Sequence, residues 1–416
     1  MKNIFAEVLT IGDELLYGQI LDTNTHWMSM ELDKIGIRII RKTTVGDEEG
    51  EILKAFADAE SRADIVLITG GLGPTNDDLT KPALAKFFDS PISINEQALK
   101  EVTELFRMRG KELTELNRQQ AALPEKCIMI SNKKGTAPGM WFEKNHKIFV
   151  SMPGVPHEMK FMMSDYVLPN LKKYFETPVI YHKLIKTVGI GESWLADIIR
   201  DWENNLPSHI KLAYLPSLGQ VRLRLTATGK YSEQLELEVE EQIKELIPLA
   251  EKYIYGYNEE TLEEVVGKLL LKENKTLATA ESCTGGTIAQ QITSVAGSSA
   301  YFLGGLVPYH NHVKEKILGI KAETLQNYGA VSEETVREMA ENVRKLFRVD
   351  IGVSSSGIAG PSGGTPEKPV GTVWIGYSDS KITLGKKLML GNDRQINIQH
   401  TSVAVLNMIR QQLMMG

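Results

Sequence analysis

Apolar positions recur with two alternating spacings along residues 1–90. A nearly unbroken apolar run at 5–11 ends on Gly12 and predicts a buried strand. Residues 23–35 carry apolar positions three and four apart and predict a helix. Strand character returns at 37–45 and helical spacing at 48–63. A short apolar run at 64–69 then ends on Gly70-Gly71. Short apolar runs closed by glycine mark buried parallel strands. Their alternation with helices predicts a doubly wound sheet that binds ligands at the carboxyl ends of its strands. Residues 91–175 add helices, strands at 127–130 and 147–151, and a helix after Pro156.

The pattern breaks near Thr177-Pro178. Residues 179–254 read as strand, helix (192–203), two strands around Gly219 and a charged helix (233–253), which is a small α+β unit. A third unit follows. Helices are predicted at 262–271, 287–295, 333–347 and 395–414, and strands at 276–280, 301–309, 351–355, 370–377 and 384–390. The expected fold class is α/β throughout, in three domains: 1–175 doubly wound, 176–255 a small α+β linker, and 256–416 a second α/β domain. No repeat relates the first and third. The middle unit holds no cluster of catalytic residue types and reads as a linker or packing domain.

Composition narrows the function classes. The 416 residues are 42% hydrophobic and 24% charged, ordinary values for a folded soluble protein. No apolar run approaches the roughly 18 residues of a membrane span. Glu7, Asp13 and Glu14 interrupt the start, so it does not read as a signal peptide. Cys127 and Cys283 are the only cysteines and match no metal or disulfide spacing, so a reducing cytoplasm is expected. The net charge of −6 is uneven: residues 1–170 hold 20 basic and 25 acidic side chains, and 256–416 hold 16 of each. No unit is basic, so phosphate-driven nucleic-acid binding is not expected. No membrane partner is expected either.

Three predicted strand ends in the first unit carry polar residues with glycine. They are Gly12-Asp13-Glu14-Leu15, Val45-Gly46-Asp47-Glu48, and Thr69-Gly70-Gly71-Leu72-Gly73-Pro74 running on to Asp77-Asp78. In a parallel sheet these ends converge on one edge. Glycines let a phosphate approach the backbone, and the carboxylates could hold a hard cation against it. Each element alone has a plain alternative: a tight turn for the glycines, a helix cap for Asp13 or Asp47. No Walker loop is present, and Gly189-Ile-Gly191 lacks the third glycine of a dinucleotide fingerprint.

In the third unit, Thr279-Ala280-Glu281-Ser282-Cys283-Thr284-Gly285-Gly286 joins a strand to a helix. A hydroxyl or thiol there meets helix amides and dipole, which suits a nucleophile or an oxyanion hole. An N-cap serine followed by a core cysteine is the plain alternative. Three other segments are expected to converge on Ser282: Tyr309 to Lys314, Ser354 to Pro361, and Gly391 to Arg394. The site would combine a hydroxyl nucleophile, a base (Lys314 or Tyr309) and an anion-binding Arg394. His310 and His312 lack further ligand spacing and read as solvated loop residues.

These motifs carry a resemblance. Gly12-Asp13-Glu14-Leu15, Asp22-Thr23-Asn24, Thr69-Gly70-Gly71-Leu72-Gly73-Pro74 and Ser151-Met152-Pro153-Gly154-Val155-Pro156 resemble the molybdopterin-binding fold of molybdopterin adenylyltransferases. That likeness places Asp47 and Asp78 at a nucleotide site with Asn24, Thr69, Gly70, Gly71 and Gly73. Asn76 and Asp77 stand where those enzymes often carry arginine, which points away from molybdopterin itself. The string 280–286, with Ser356-Gly357-Ile358-Ala359-Gly360-Pro361 and Pro369-Val370-Gly371-Thr372-Val373-Trp374, is similar to the CinA family, and the similarity covers essentially the whole chain. It implies a bifunctional pyridine nucleotide recycling hydrolase. The C-terminal domain resembles nicotinamide mononucleotide deamidases and needs no cofactor. Ser282 matches the nucleophile, Tyr309, Ser356 and Arg394 match other active-site positions, and Thr284, Gly285, Gly286 and Gly357 lie in the same motifs. The N-terminal domain resembles an ADP-ribose pyrophosphatase dependent on a divalent metal ion, here held by Asp47 or Asp78 with Asp13 or Glu14. A regulatory domain that only binds a nucleotide or pterin is the alternative for that half. The resemblance further implies a homodimer.

Overall fold

The computed structural model describes residues 3–75 and 77–415, so Asn76 of the third strand-end motif lies outside the described residues. Two compact units form. One runs to Tyr181 and takes in Thr228–Leu235; the other comprises His182–Ala227 and the chain from Glu236 onward.

The first unit is built on a six-stranded sheet in the order Ile37–Val45, Ile4–Ile11, Ile65–Thr69, Lys147–Met152, Gly139–Lys144, Ile128–Ile130. The first four strands are parallel, as the βαβ pattern requires. The last two turn back antiparallel. The two-residue period of a strand explains how this sheet is covered. Ala6, Val8, Ile65 and Leu67 pack with Met28 and Leu32 of helix Thr23–Lys34 and Met159 and Met162 of helix Pro156–Met162. Leu9, Ile11, Val66 and Ile68 face the other way, onto Ile52 and Phe56 of helix Glu49–Arg62 and Leu84 of helix Thr80–Phe87. Each such fully buried large side chain contributes about 1.5–3 kcal/mol. Sequence spacing had not predicted the strand Gly139–Lys144. Its apolar stretch is only Met140, Trp141 and Phe142, followed by Glu143 and Lys144.

In the second unit the middle segment supplies strands of a four-stranded sheet, in the order Ile210–Ser217, Gln220–Gly229, Val179–Val188, Ile254–Tyr257. Helix Glu192–Asn204 buries Leu195, Ile199 and Trp202, and the Trp202 indole donates to Gln242 O on helix Ser232–Ala250. The C-terminal sheet runs Phe302–Leu306, Leu277–Glu281, Ile351–Gly357, Thr372–Ser378, Thr383–Met389. Its first three strands are parallel and its last two antiparallel. Ala278 and Ala280 pack with Met339 and Val343 of helix Glu333–Phe347. Leu277, Val353 and Ile375 pack on the other face with helices Leu262–Lys272, Thr287–Thr293 and Arg394–Met415.

Arg410 joins the middle segment to the last helix. It is 1% exposed, and its guanidinium donates to Ile254 O at 2.9 Å, Lys252 O at 2.6 Å and Asn407 Oδ1 at 3.1 Å. Burial without a carboxylate lowers its affinity for its proton, and carbonyl dipoles are what hold the charge. Arg410→Met leaves those acceptors without a donor. The expected loss is about 3 kcal/mol, read as a lower urea midpoint at unchanged slope.

Candidate functional site

Ser282 follows the buried strand Leu277–Glu281, whose parallel register sets Glu281 opposite Ser355. The register continues one step further, with Ser282 N donating to Ser355 O at 2.8 Å. Lys314 comes from helix Asn311–Lys316, which starts where the His310 ring Nδ1 accepts from His312 N. This gives the two exposed histidines a local role in helix capping. The Lys314 side chain is 1% exposed. Its Nζ donates to Ser282 Oγ at 3.0 Å, Pro308 O at 2.8 Å and Tyr309 O at 3.2 Å. Burial lowers the Lys314 pKa, against a weaker upward pull from Cys283. A neutral amine has two N–H bonds and one lone pair. In its amine form Lys314 would give those two hydrogens to the two carbonyls and turn its lone pair to the Ser282 hydroxyl. This is the geometry of a base poised on a nucleophile. The neighbouring thiol is not a rival, since burial pushes the Cys283 pKa up to about 12.

The other expected residues divide. Arg394 opens the last helix half-buried, donating from Nη1 to Gly360 O at 3.0 Å and from Nη2 to Tyr309 Oη at 2.9 Å. Tyr309 therefore meets Lys314 through its main-chain carbonyl, while its exposed phenol meets Arg394. The three segments do converge on Ser282 through this chain of hydrogen bonds. Ser356 is buried, and its hydroxyl donates to Ala330 O at 2.6 Å, outside the Lys314–Ser282 pair. Gly357 serves packing, because a Cβ there would lie 2.6 Å from Val373. Asn397 was not anticipated. It donates to Ala359 O and Gly391 O and so fixes the two loops that flank Arg394.

The helix amides expected to face an anion are largely occupied. Helix Thr287–Thr293 begins five residues after Ser282, behind Gly285 and Gly286 in left-handed backbone. Its first amides cap Glu281 instead. Gly286 N and Ile288 N donate to Oε2 at 3.1 and 3.0 Å, and Ala289 N donates to Oε1 at 2.8 Å. Thr284 adds its hydroxyl to Glu281 Oε2 at 2.7 Å and shares a hydrogen bond with Ser355 Oγ. The Thr284 side chain is thus part of the scaffold. The amides of Cys283 and Thr284 are not among the donors to Glu281.

At the edge of the first sheet, Glu14, Asp47, Gly70, Gly71, Gly73, Asp77 and Asp78 line one cavity of about 390 Å³. The convergence of strand ends anticipated this edge. Asp13 lies behind it, where Asp13 N donates to Asp47 Oδ2 at 3.1 Å and Asp47 N to Asp13 Oδ1 at 3.4 Å. Burial raises the Asp47 pKa most. The charges of Asp13, Glu14 and Asp77 add to that rise, while the Asp13 amide opposes it. Asp78 is already engaged: Gly73 N donates to Oδ1 at 2.7 Å, and Thr75 donates through N and Oγ1 to Oδ2. It clasps the glycine loop. Among the described residues, no three His, Cys, Asp or Glu side chains are gathered as a metal cluster. Asn24 and Thr69 are buried beneath the cavity, with Asn24 donating to Thr69 Oγ1 and Gly154 O and Thr69 to Pro153 O. They hold the 153–154 turn in place. Gln120 and Glu158 also line the cavity, and sequence spacing had given no sign of either.

Comparison with known proteins matches three stretches of the chain. A family model described as "Probable molybdopterin binding domain" matches residues 7–173. One described as "Damage-inducible protein CinA KH domain" matches 182–256, and one described as "CinA C-terminal domain" matches 259–413. A CinA-like protein of Cytophaga hutchinsonii is 52% identical over 99% of this chain and 98% of its own. A CinA-like protein of Flavobacterium psychrophilum is 43% identical over 98% of each. Among solved structures, the protein CinA of Thermoplasma acidophilum, titled as of unknown function, is 33% identical. It covers 40% of this chain and 98% of its own, with a TM-score of 0.38.

Proposed function

The chain belongs to the CinA family, and from that premise we propose that it is a hydrolase with two separate sites acting on pyridine nucleotides. The C-terminal domain deamidates nicotinamide mononucleotide. The observation that carries this reading is the 3.0 Å contact of the buried Lys314 amine with Ser282 Oγ. Ser282 Oγ attacks the carboxamide carbon as Lys314 takes its proton. The oxyanion is met by the amides of Cys283 and Thr284. Lys314 returns the proton to the leaving nitrogen, and ammonia departs from an acyl ester on Ser282. Water, deprotonated by the same amine, then releases nicotinic acid mononucleotide. Arg394 supplies the donor fork for the nucleotide phosphate, with Tyr309 as its hydrogen-bonded partner.

The N-terminal domain hydrolyses ADP-ribose at its diphosphate. Asp47 and Glu14, on the cavity wall, would hold a divalent cation. A cation such as Mg²⁺ is commonly bound by one or two carboxylates together with substrate phosphates. When bound, the cation neutralises the diphosphate and lowers the pKa of a water. The protein itself supplies the glycine edge at Gly70, Gly71 and Gly73 for the phosphates, and Asp78 keeps that loop in shape.

One experiment separates the two sites. A chelator is expected to abolish ADP-ribose cleavage, with recovery on adding Mg²⁺ or Mn²⁺, and to leave ammonia release from nicotinamide mononucleotide unchanged. Ammonia release that needs metal would overturn the serine–lysine assignment. Tight ADP-ribose binding without turnover under any divalent metal would reduce the N-terminal domain to a binding module.

A further inference from the structure

The N-terminal cavity has a second end that the phosphate and cation roles leave unused. Its walls follow successive strand ends across the sheet. Asp47 follows Ile37–Val45, Glu14 follows Ile4–Ile11, the glycines follow Ile65–Thr69, and Pro153 to Glu158 follow Lys147–Met152. These four parallel strands are neighbours, so the cavity extends over three strand spacings, roughly 14 Å. The diphosphate reading accounts for the Asp47 and glycine portion. Glu158 walls the far portion, and Thr136, Ala137 and Gln120 also line the cavity.

That far wall is built for acceptors. Gln120 is 2% exposed, and its Oε1 is buried with no hydrogen-bond partner among the described residues. Such an orphan acceptor costs about 1–3 kcal/mol unless something donates to it. The main-chain carbonyl of Gln120 accepts from Lys81 Nζ at 3.2 Å. Glu158 is held at the cavity by Asn132 Nδ2, which donates to its Oε2 at 2.7 Å. Asn132 in turn donates to Ala137 O and accepts from Lys134 N and Gly135 N, so it shapes the whole 132–137 loop. Gly135 leaves room for the carboxylate, since a Cβ there would lie 2.1 Å from Glu158 Cδ. A carboxylate fixed in this way, on a cavity that also holds an unsatisfied amide oxygen, is complementary to ribose hydroxyls.

We infer that Glu158 and Gln120 form a sugar-reading subsite that accepts hydrogen bonds from the ribose hydroxyls of a ligand whose diphosphate lies on the glycine edge. This rests on the diphosphate reading of the cavity above and names which part of the ligand gives it specificity. The carboxylate of Glu158 repels an anion that has no hydroxyls to offer, so the subsite both selects ribose and rejects bare diphosphate.

Calorimetric titration of the full chain in Mg²⁺ with ADP-ribose, ADP and inorganic pyrophosphate tests this. Wild-type protein should bind the ribose-bearing ligands more tightly than pyrophosphate. Glu158→Gln and Gln120→Met should each weaken them by about tenfold or more, while pyrophosphate binds equally or more tightly. Gln120→Met removes an orphan acceptor and should melt no lower than wild type, which sets a folding defect apart from a lost contact. If ADP binds and responds to the substitutions but ADP-ribose does not bind, the ADP-ribose reading fails and the subsite stands. Uniform loss across all three ligands, no loss in either variant, or wild-type preference for pyrophosphate would each overturn the subsite.

Discussion

Lys314→Met is expected to lower ammonia release from nicotinamide mononucleotide by at least about 10³-fold, with KM nearly unchanged. Methionine keeps the length of the stem and fills the same buried space, so the fold should persist. The change leaves Pro308 O and Tyr309 O without their donor, but it also removes a buried amine whose charged form the site disfavours. The two effects oppose each other. Ser282→Ala should match this loss, and the double variant should be no worse than either single one, because one proton transfer joins the two residues. Lys314→Arg should fail to rescue, since a guanidinium does not become a base in a protein. Retained turnover in that variant would remove Lys314 from the mechanism.

The same burial sets a pH dependence. Only the amine form of Lys314 accepts the serine proton, so kcat/KM should rise with pH and reach its plateau below the ordinary lysine value of about 10.4. The sign for stability is the same. The folded-state pKa lies below the unfolded one, so the unfolded chain binds more protons between the two values. Stability therefore rises with pH across that window and is lower beneath it. Lys314→Met should remove both dependences.

The elements were legible wherever an apolar run was continuous or strictly periodic. Strand Ile65–Thr69 and helix Glu333–Phe347 are cases in which neighbouring residues alone dictate the structure. Strand Gly139–Lys144 was not, because three apolar residues before Glu143 and Lys144 carry too short a period. At the sites, Ser282, Lys314 and Arg394 announce themselves by residue type at strand and helix junctions. What the sequence hid was which polar groups pair with each other. Asp78 has a ligand's chemistry yet spends its oxygens on Gly73 and Thr75. Ser356 carries a hydroxyl of the type catalysis uses yet gives it to Ala330 O. Gln120 sits in a polar, unremarkable stretch, and only the surrounding walls reveal that its oxygen lacks a partner. Ser356 and Ala330 are 26 residues apart, which spacing does not encode, and the Asp78 clasp, only three and five residues long, depends on the path its loop takes.

Glu281 is the residue whose part in the proposed deamidase site changes most when the fold is seen, and Glu281→Gln should be severe for turnover and stability together. The side chain is 1% exposed and accepts from five donors: the hydroxyls of Thr279 and Thr284 and the amides of Gly286, Ile288 and Ala289. A carboxylate offers about four lone-pair positions, but an amide offers one oxygen and turns an NH₂ toward groups that are themselves donors. At least one backbone amide at the helix start then faces a donor, at a cost of about 2–4 kcal/mol. The turn 282–286 hangs between Glu281 and those amides, so Ser282 loses its alignment with Lys314, and kcat should fall about 100-fold. KM should hold, because Glu281 touches neither Arg394 nor Tyr309. The pH profile should keep its shape, because the base is intact. Glu281→Asp keeps the charge with a shorter reach and should recover part of both losses. If Glu281→Gln turned over normally while melting early, Glu281 would only support the fold. A loss of kcat in protein that is still fully folded at the assay temperature makes it a positioning residue. In that case the amino terminus of helix Thr287–Thr293 has a fixed internal anion, and catalysis depends on the alignment this anion imposes on Ser282.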